Sequence, residues 1–146
     1  MKRGVLFSLI ILLFSCVATA ALGPNIIYNS SVEIYSGEGY PDGWKVYVAS
    51  GKPQFSVDQT QAFSGTNSLK LSCYDSGDRG SWLTFDVPIK PNTKVRFGLY
   101  YKTSGFPESG GSIRCNLYRR DPQGLPWPVE VGLDLDRNAS DWTAAE

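Results

Sequence analysis

The side chains best suited to chemistry in this chain are aromatic and planar hydrogen-bonding groups that recur at alternate positions of strand-like segments. They are Tyr47, Trp82, Arg96, Tyr100, Arg114, Asn116 and Tyr118. Aromatic rings offer flat apolar surfaces to the C–H faces of a sugar, and amide and guanidinium groups bond to its hydroxyls. Arginine also pairs with uronic carboxylates. The set therefore predicts a surface that binds a polysaccharide or oligosaccharide.

Three consecutive segments carry most of these side chains. In residues 81–87, 94–102 and 112–118, apolar residues alternate with polar or aromatic ones. Because successive side chains of a strand point to opposite faces of a sheet, each segment has a core side and an outer side. The candidate binding residues fall on the outer side, and Tyr47 has the same outward phase in residues 44–49.

Each candidate also has a purely structural interpretation. Trp82 either stacks on a ligand or packs under a loop at the edge of the sheet. The arginines and Asn116 either bind hydroxyls or belong to a solvated face with cross-strand pairs. The sequence leaves open whether these strands share one sheet, and a division between sheets would split the binding surface.

Catalysis has little support in the residues. The chain has no His, which removes the commonest general base and every Ser-His-Asp or Cys-His arrangement. Asp134 and Asp136 are candidates for glycoside hydrolysis, which needs two carboxylates about 5–9 Å apart. Their alternation with Leu133 and Leu135 is that of an ordinary solvent face. We therefore predict a non-catalytic segment, which could be appended to a glycoside hydrolase.

The balance of charges limits the classes of partner that the protein is expected to bind. The chain has 14 Lys and Arg residues and 14 Asp and Glu residues. Without Lys2 and Arg3 the remainder is slightly acidic. Nucleic acids and anionic membranes select basic surfaces, so neither is expected as the main partner.

The first 20 residues have the features of a signal peptide. Lys2 and Arg3 form a positive n-region, residues 5–14 form an apolar run, and residues 18–20 (ATA) form an A-x-A cleavage signal. Such a segment is removed from the mature protein and does not belong to the fold. We therefore predict a secreted, periplasmic or cell-surface protein.

Residues 21–146 have the length of one domain with one core. No stretch in them is long and apolar enough to cross a bilayer. A lipoprotein signal with an anchor at Cys16 is the less favoured alternative, because Phe14 is bulky for a lipobox.

Two cysteines follow the signal, Cys73 and Cys115. Both fall on predicted inward faces, and an oxidising compartment favours a disulfide between them. Pairing also requires that their strands be adjacent, which a sequence does not reveal. A disulfide and two buried free thiols remain open alternatives.

The pattern as a whole predicts an all-β fold. The 15 Gly and 9 Pro residues interrupt short runs of alternating hydrophobicity, as in proteins built from short strands and tight turns. Nine short strands are typical of a β-sandwich or jelly roll. The predicted strands are residues 26–28, 32–35, 44–49, 54–58, 68–74, 81–87, 94–103, 112–118 and 129–135. Residues 141–143 (DWT) are typical of the entry to a further strand.

Four motifs occur in order along the first two thirds of the chain. They are residues 25–33 (NIIYNSSVE), 41–44 (PDGW), 62–71 (AFSGTNSLKL) and 91–103 (PNTKVRFGLYYKT). In this order and spacing they resemble the CenC-type carbohydrate-binding modules of families four, nine, sixteen and twenty-two. Those modules are galactose-binding-like jelly rolls, a fold that carries many functions.

The resemblance implies a jelly-roll β-sandwich that binds polysaccharide without cleaving it. It also implies a structural calcium ion that joins the first strand to the last, with Glu33 among its oxygen ligands. The family's ligand contacts vary, so the resemblance assigns no binding residue. Its members continue for two or three strands beyond the equivalent of residues 141–143, so the domain is expected to be incomplete. The alternative is a structural or protein-interaction module beside neighbouring domains in a larger protein.

Overall fold

A computed structural model describes residues 23–37, 39–84, 87–90, 92–106, 111–120 and 126–146. Eight strands and no helix occur in this part of the chain, which confirms the predicted all-β class. The strands are β1 (Trp44–Ser50), β2 (Gln54–Asp58), β3 (Ser68–Ser72), β4 (Arg79–Thr84), β5 (Leu99–Tyr101), β6 (Arg114–Arg120), β7 (Pro126–Asp134) and β8 (Thr143–Ala145). The predicted signal peptide, residues 1–20 with Cys16, lies outside the described residues.

The strands form antiparallel pairs, β1 with β4, β2 with β3, β5 with β8 and β6 with β7. The arrangement is consistent with an all-β sandwich. The strands predicted to carry the binding surface, β4, β5 and β6, belong to three different pairs. The predicted surface is therefore divided among three strand pairs.

The best-buried residues lie near the N-terminal segment and around β5. Val32 retains 7% of its surface, Tyr101 8% and Ala139 7%, while Pro41 is fully buried. The Tyr101 hydroxyl accepts a hydrogen bond from the backbone N–H of Asp136 at 2.8 Å. The segment after β7 is thereby held against β5.

The predicted strands at residues 26–28 and 32–35 are wrong. This segment turns instead, with Val32 N–H bonded to the Asn29 carbonyl at 3.0 Å. Asn29 and Val32 have φ values of 48° and 60°. The left-handed region breaks an extended chain, and it is tolerated by Asn but uncommon for a β-branched residue. Hydrophobic alternation does not reveal such a reversal.

The predicted strand at residues 94–103 is shortened to β5, Leu99–Tyr101, which is the part that finds a partner in β8. Leu99 lies opposite Ala145, and Tyr101 lies opposite Thr143. The expectation that residues 141–143 lead into a strand is confirmed by β8. The remaining predicted strands overlap β1, β2, β3, β4, β6 and β7.

Candidate functional site

Two of the sequence motifs meet around the buried side chain of Asn29. Its Nδ2 donates to the carbonyls of Ile34 and Asp42, at 3.0 and 2.9 Å. Its Oδ1 accepts from the Ile34 N–H at 3.0 Å. Trp44 Nε1 donates to the Asn29 carbonyl at 2.9 Å. These bonds join the two ends of the loop that carries Tyr40.

A third motif is bonded to Glu33. The carboxylate accepts from the backbone N–H groups of Thr66 and Asn67 at 2.7 and 2.9 Å. It also accepts from the Thr66 hydroxyl and Asn67 Nδ2 at 2.6 and 2.7 Å. The Thr66 hydroxyl contributes most to holding the pKa of Glu33 below its usual value, followed by the Thr66 N–H. Hydrogen bonds to the charged form favour ionisation.

Four of the predicted binding residues line one groove between β4 and β6. It has a volume of about 120 Å³, and its lining consists of Ser81, Trp82, Leu83, Arg114, Cys115, Asn116 and Tyr118. Consecutive residues of each strand contribute, as expected where a groove follows strand edges and not one face of a sheet. The groove lies at a junction between strand pairs, β1–β4 and β6–β7.

Trp82 forms a fixed wall of this groove. Its ring centroid lies 5.0 Å from that of Tyr40 and 5.4 Å from that of Phe55, with ring planes at 88° and 89°. Its Nε1 donates to the Lys70 carbonyl at 3.0 Å. Trp82 lies opposite Val46 and is half-buried. Two perpendicular aromatic contacts and a bonded N–H stabilise this packed position of the ring, which also lines the groove.

Strand β6 supplies the polar side of the groove. Arg114 Nε lies 2.7 Å from Asp134 Oδ1, and Asn116 Nδ2 donates to the Tyr118 hydroxyl at 3.3 Å. Asn116 Oδ1 is enclosed and has no hydrogen-bond partner in the described part of the chain. A Cβ at Gly132 would lie 3.0 Å from both Arg114 Nη2 and Asn116 Oδ1. Because Gly132 has no side chain, the side chains of Arg114 and Asn116 can lie across β7 at this position.

Two further predicted binding residues lie outside the lining of the groove. Tyr47 is exposed on β1. Arg96 forms an ion pair with Glu146. An exposed pair of this kind contributes little to stability, but it gives the guanidinium a partner within the chain.

Tyr100 belongs to a separate aromatic cluster. Its ring stacks on that of Phe63, with centroids 3.5 Å apart and planes 8° apart. Trp142 lies 6.2 Å from Phe63. Tyr100 and Phe63 nevertheless remain 52% and 49% exposed. Nothing in the alternation pattern indicates this contact, which joins three separate parts of the chain.

Sequence reasoning did not assign to the groove several residues that form or support it, although it considered Asp134 and Cys115 for other roles. Ser81, Leu83 and Cys115 line it although their strand phase did not select them. Asp134 and Gly132 lie directly opposite Arg114 and Asn116 in the β6–β7 register. Only a known register would have identified these cross-strand partners, because opposite residues share one face.

Cys73 and Cys115 are both free thiols, so the alternative of a disulfide is not realised. Cys115 is half-buried in the groove, and burial raises the pKa of its thiol. Cys73 is exposed, contrary to the predicted inward position, because β3 ends before it at Ser72. Partial burial, followed by the Asp78 carboxylate, raises the pKa of the Cys73 thiol.

The two carboxylates considered for hydrolysis do not share a strand face. Strand β7 ends at Asp134, whose carboxylate is paired with Arg114. Asp136 lies in the following turn, where its Oδ1 accepts the N–H of Asn138 at 2.8 Å. Each carboxylate thus has a partner within the fold.

A second, wider depression of about 410 Å³ lies over β2 and β3 and is lined by Ser56, Val57, Asp58, Gln59, Thr60 and Lys70. The carboxylate in this lining, that of Asp58, already has hydrogen-bond and ion-pair partners. Asp58 Oδ1 accepts from the Thr60 N–H and hydroxyl at 2.8 and 2.6 Å, and Oδ2 lies 3.7 Å from Lys70 Nζ. None of the predicted binding residues lines it, so the β4–β6 groove is the stronger candidate.

Within the described residues, no group of three or more His, Cys, Asp or Glu side chains is arranged to hold a metal ion. No helix long and apolar enough to cross a membrane occurs in the same part of the chain. Comparison with protein-family models, curated proteins and solved structures gives no match.

Proposed function

We propose that this protein is an exported, non-catalytic carbohydrate-binding module with a jelly-roll topology, which holds a polysaccharide chain in the β4–β6 groove. The observation that carries the proposal is that residues chosen independently from the sequence lie together in the structure. Trp82, Arg114, Asn116 and Tyr118 were selected for sugar chemistry from the sequence, and all line one groove. Export rests on the signal-like residues 1–20.

The groove offers the contacts that a sugar ring needs. Tyr118 is 44% exposed and offers a ring to C–H groups. Arg114 is half-exposed at its side chain, and its guanidinium has N–H donors beyond the Nε bond to Asp134. Asn116 also lines the groove, and its Nδ2 carries a second N–H besides the one that it donates to the Tyr118 hydroxyl. A 120 Å³ groove is smaller than the roughly 300–1,000 Å³ of pockets that enclose a ligand. We therefore expect weak binding, with Kd of about 10–1000 μM.

Binding without cleavage fits the chemistry of the lining. The described lining residues are neutral except for Arg114, and its charge is paired with Asp134. Glycoside hydrolysis needs two carboxylates that flank the scissile bond. We therefore propose that the groove holds its ligand and leaves it intact.

The proposal is tested by affinity electrophoresis against β-glucans, xylan, mannan and pectins, comparing the native chain with Tyr118→Ala. We expect one class of polymer to retard the native protein and Tyr118→Ala to lose that retardation. Tyr74→Ala is the matched control, because Tyr74 is 73% exposed and lies outside the groove. A folded protein that no polymer retards would refute the proposal.

Cys115 provides an independent readout of ligand position. Alkylation followed by tryptic digestion separates Cys115, in residues 115–119, from Cys73, in residues 71–79. A bound polymer should slow the modification of Cys115 and leave that of Cys73 unchanged. Equal protection of both thiols would place the ligand elsewhere.

A second candidate function is a protein-interaction module. The observation that favours it is the exposed Phe63–Tyr100 stack, which lies outside the groove. Exposed apolar clusters often mark contact sites. Under this alternative Tyr100→Ala weakens partner binding, and Tyr118→Ala does not.

A further inference from the structure

The surroundings of Glu33 are those of an internal tie and not of a metal site. An ionised carboxylate has about four lone-pair positions on its two oxygens. Oε1 accepts from the backbone N–H groups of Thr66 and Asn67, and Oε2 accepts from the Thr66 hydroxyl and Asn67 Nδ2. Each oxygen therefore has two donors, and the acceptor capacity of the group is fully used.

The chemistry of these donors is unsuited to calcium. Calcium takes six to eight oxygen ligands at about 2.3–2.6 Å. Three of the four groups that face Glu33 are N–H donors from Thr66 and Asn67, which present positive hydrogens and no lone pair. A cation at the carboxylate would displace them and leave them without an acceptor.

Asn67 also carries an oxygen that could suit a cation. Its Oδ1 is buried without a hydrogen-bond partner in the described residues. The same amide already donates its Nδ2 to Glu33 Oε2 at 2.7 Å. Because the amide oxygen and nitrogen point apart, this oxygen faces away from the carboxylate while that bond is made. The amide cannot serve both arrangements at once.

The turn that faces Glu33 is shaped to receive the carboxylate. Gly65 has φ +74°, and a Cβ there would collide with Glu33 Oε1 and lie 3.1 Å from Cδ. The missing side chain thus admits the acid to the backbone N–H groups that follow.

We propose that Glu33 is a calcium-independent tie, in which its carboxylate locks the N-terminal segment onto the Gly65–Asn67 turn. This role replaces the metal-ligand role that the family resemblance implies. It is independent of sugar binding, so either proposal can fail alone.

The test measures the thermal midpoint of the full chain and of Glu33→Gln, each with EDTA and with about 10 mM calcium, roughly tenfold above the weakest extracellular calcium sites. We expect calcium to leave the native midpoint unchanged. We expect Glu33→Gln to lower the midpoint by about 4 °C or more, equally in both solutions. A calcium-dependent rise that Glu33→Gln abolishes would overturn the proposal, as would a variant with native stability in EDTA.

Two glycine variants keep the test decisive if Glu33→Gln does not fold. Gly65→Ala and Gly105→Ala carry the same backbone strain, since their φ values are +74° and +70°. The Gly65 Cβ would meet the carboxylate, whereas no atom of the described residues lies within 4 Å of a Cβ at Gly105. We expect Gly65→Ala to be clearly less stable than Gly105→Ala, and equal midpoints would contradict the tie.

Discussion

Removing the Asn29 side chain should destabilise the protein strongly, because its amide is buried and hydrogen-bonded through both its nitrogen and its oxygen. The residue retains 7% of its surface and makes three side-chain hydrogen bonds. At about 1 kcal/mol each, their loss costs about 3 kcal/mol. In Asn29→Ala the φ of 48° adds strain, of about 1 kcal/mol. The total of about 4 kcal/mol is a large part of the 5–15 kcal/mol that stabilises a typical domain.

Companion variants separate the two contributions. Asn29→Gly loses the hydrogen bonds but accepts the positive φ, so we expect a loss of about 3 kcal/mol, some 1 kcal/mol less than for Ala. Asn25→Ala is the control, because Asn25 makes two hydrogen bonds at an exposed position. Water replaces those partners, so its loss should stay below about 1 kcal/mol.

The assay is urea unfolding monitored by tryptophan fluorescence, to which Trp44 contributes directly, since its Nε1 bonds to the Asn29 carbonyl. The dependence of free energy on urea should be unchanged if only native stability is affected. Equal, small losses in Asn29→Ala and Asn25→Ala would refute the central role of the buried amide. Equal losses in Asn29→Ala and Asn29→Gly would refute the contribution of the backbone strain.

Further predictions concern acid stability, thiol access and the packing behind the groove. Asp78 accepts the N–H of Lys52 at 2.7 Å, and this bond contributes most to lowering its pKa below the ordinary 3.8. Because the pKa of Asp78 is lower in the folded protein than in the unfolded chain, its ionised carboxylate stabilises the fold at pH values above 3.8. This stabilisation is lost as the pH falls through the pKa of the folded state. Asp78→Asn should therefore flatten the decline in urea-measured stability between about pH 5 and pH 2, and parallel declines would argue against this. Cys73 should react with an alkylating reagent faster than Cys115, because it is exposed, and mass spectrometry measures both rates. Faster reaction of Cys115 would contradict this difference in exposure. Tyr40→Ala should weaken any glycan retardation although Tyr40 does not line the groove, since it packs against Trp82, and unchanged retardation would show that Trp82 needs no such support.

Local patterns were sufficient to predict much of the secondary structure. Strand β2 occupies the predicted residues 54–58, and β1 begins at the predicted Trp44. Alternation reports whether a segment is extended, because side-chain period follows directly from backbone geometry. It failed at residues 26–35, where positive φ values at Asn29 and Val32 reverse the chain.

The candidate site was predictable in its chemistry and not in its geometry. The sequence identified residue types that suit a sugar surface, but it did not show that Tyr100 stacks on Phe63 or that Trp82 packs against Phe55. Both contacts are decided by neighbours that are remote in sequence. The alternation of side chains along a strand cannot identify these contacts. It shows which face of the sheet a side chain lies on, but not which other element packs against that face.

The amino-acid sequence by itself determined the all-β class, the positions of most strands and the types of group available for recognition. The tertiary structure decided that β4 pairs with β1 and β5 with β8. It also decided that Trp82 and Tyr118, but not Tyr100, line one groove. The physical reason is that extension and alternation are properties of neighbouring residues. Strand pairing, aromatic contacts and buried hydrogen bonds depend on groups brought together only when the whole chain folds.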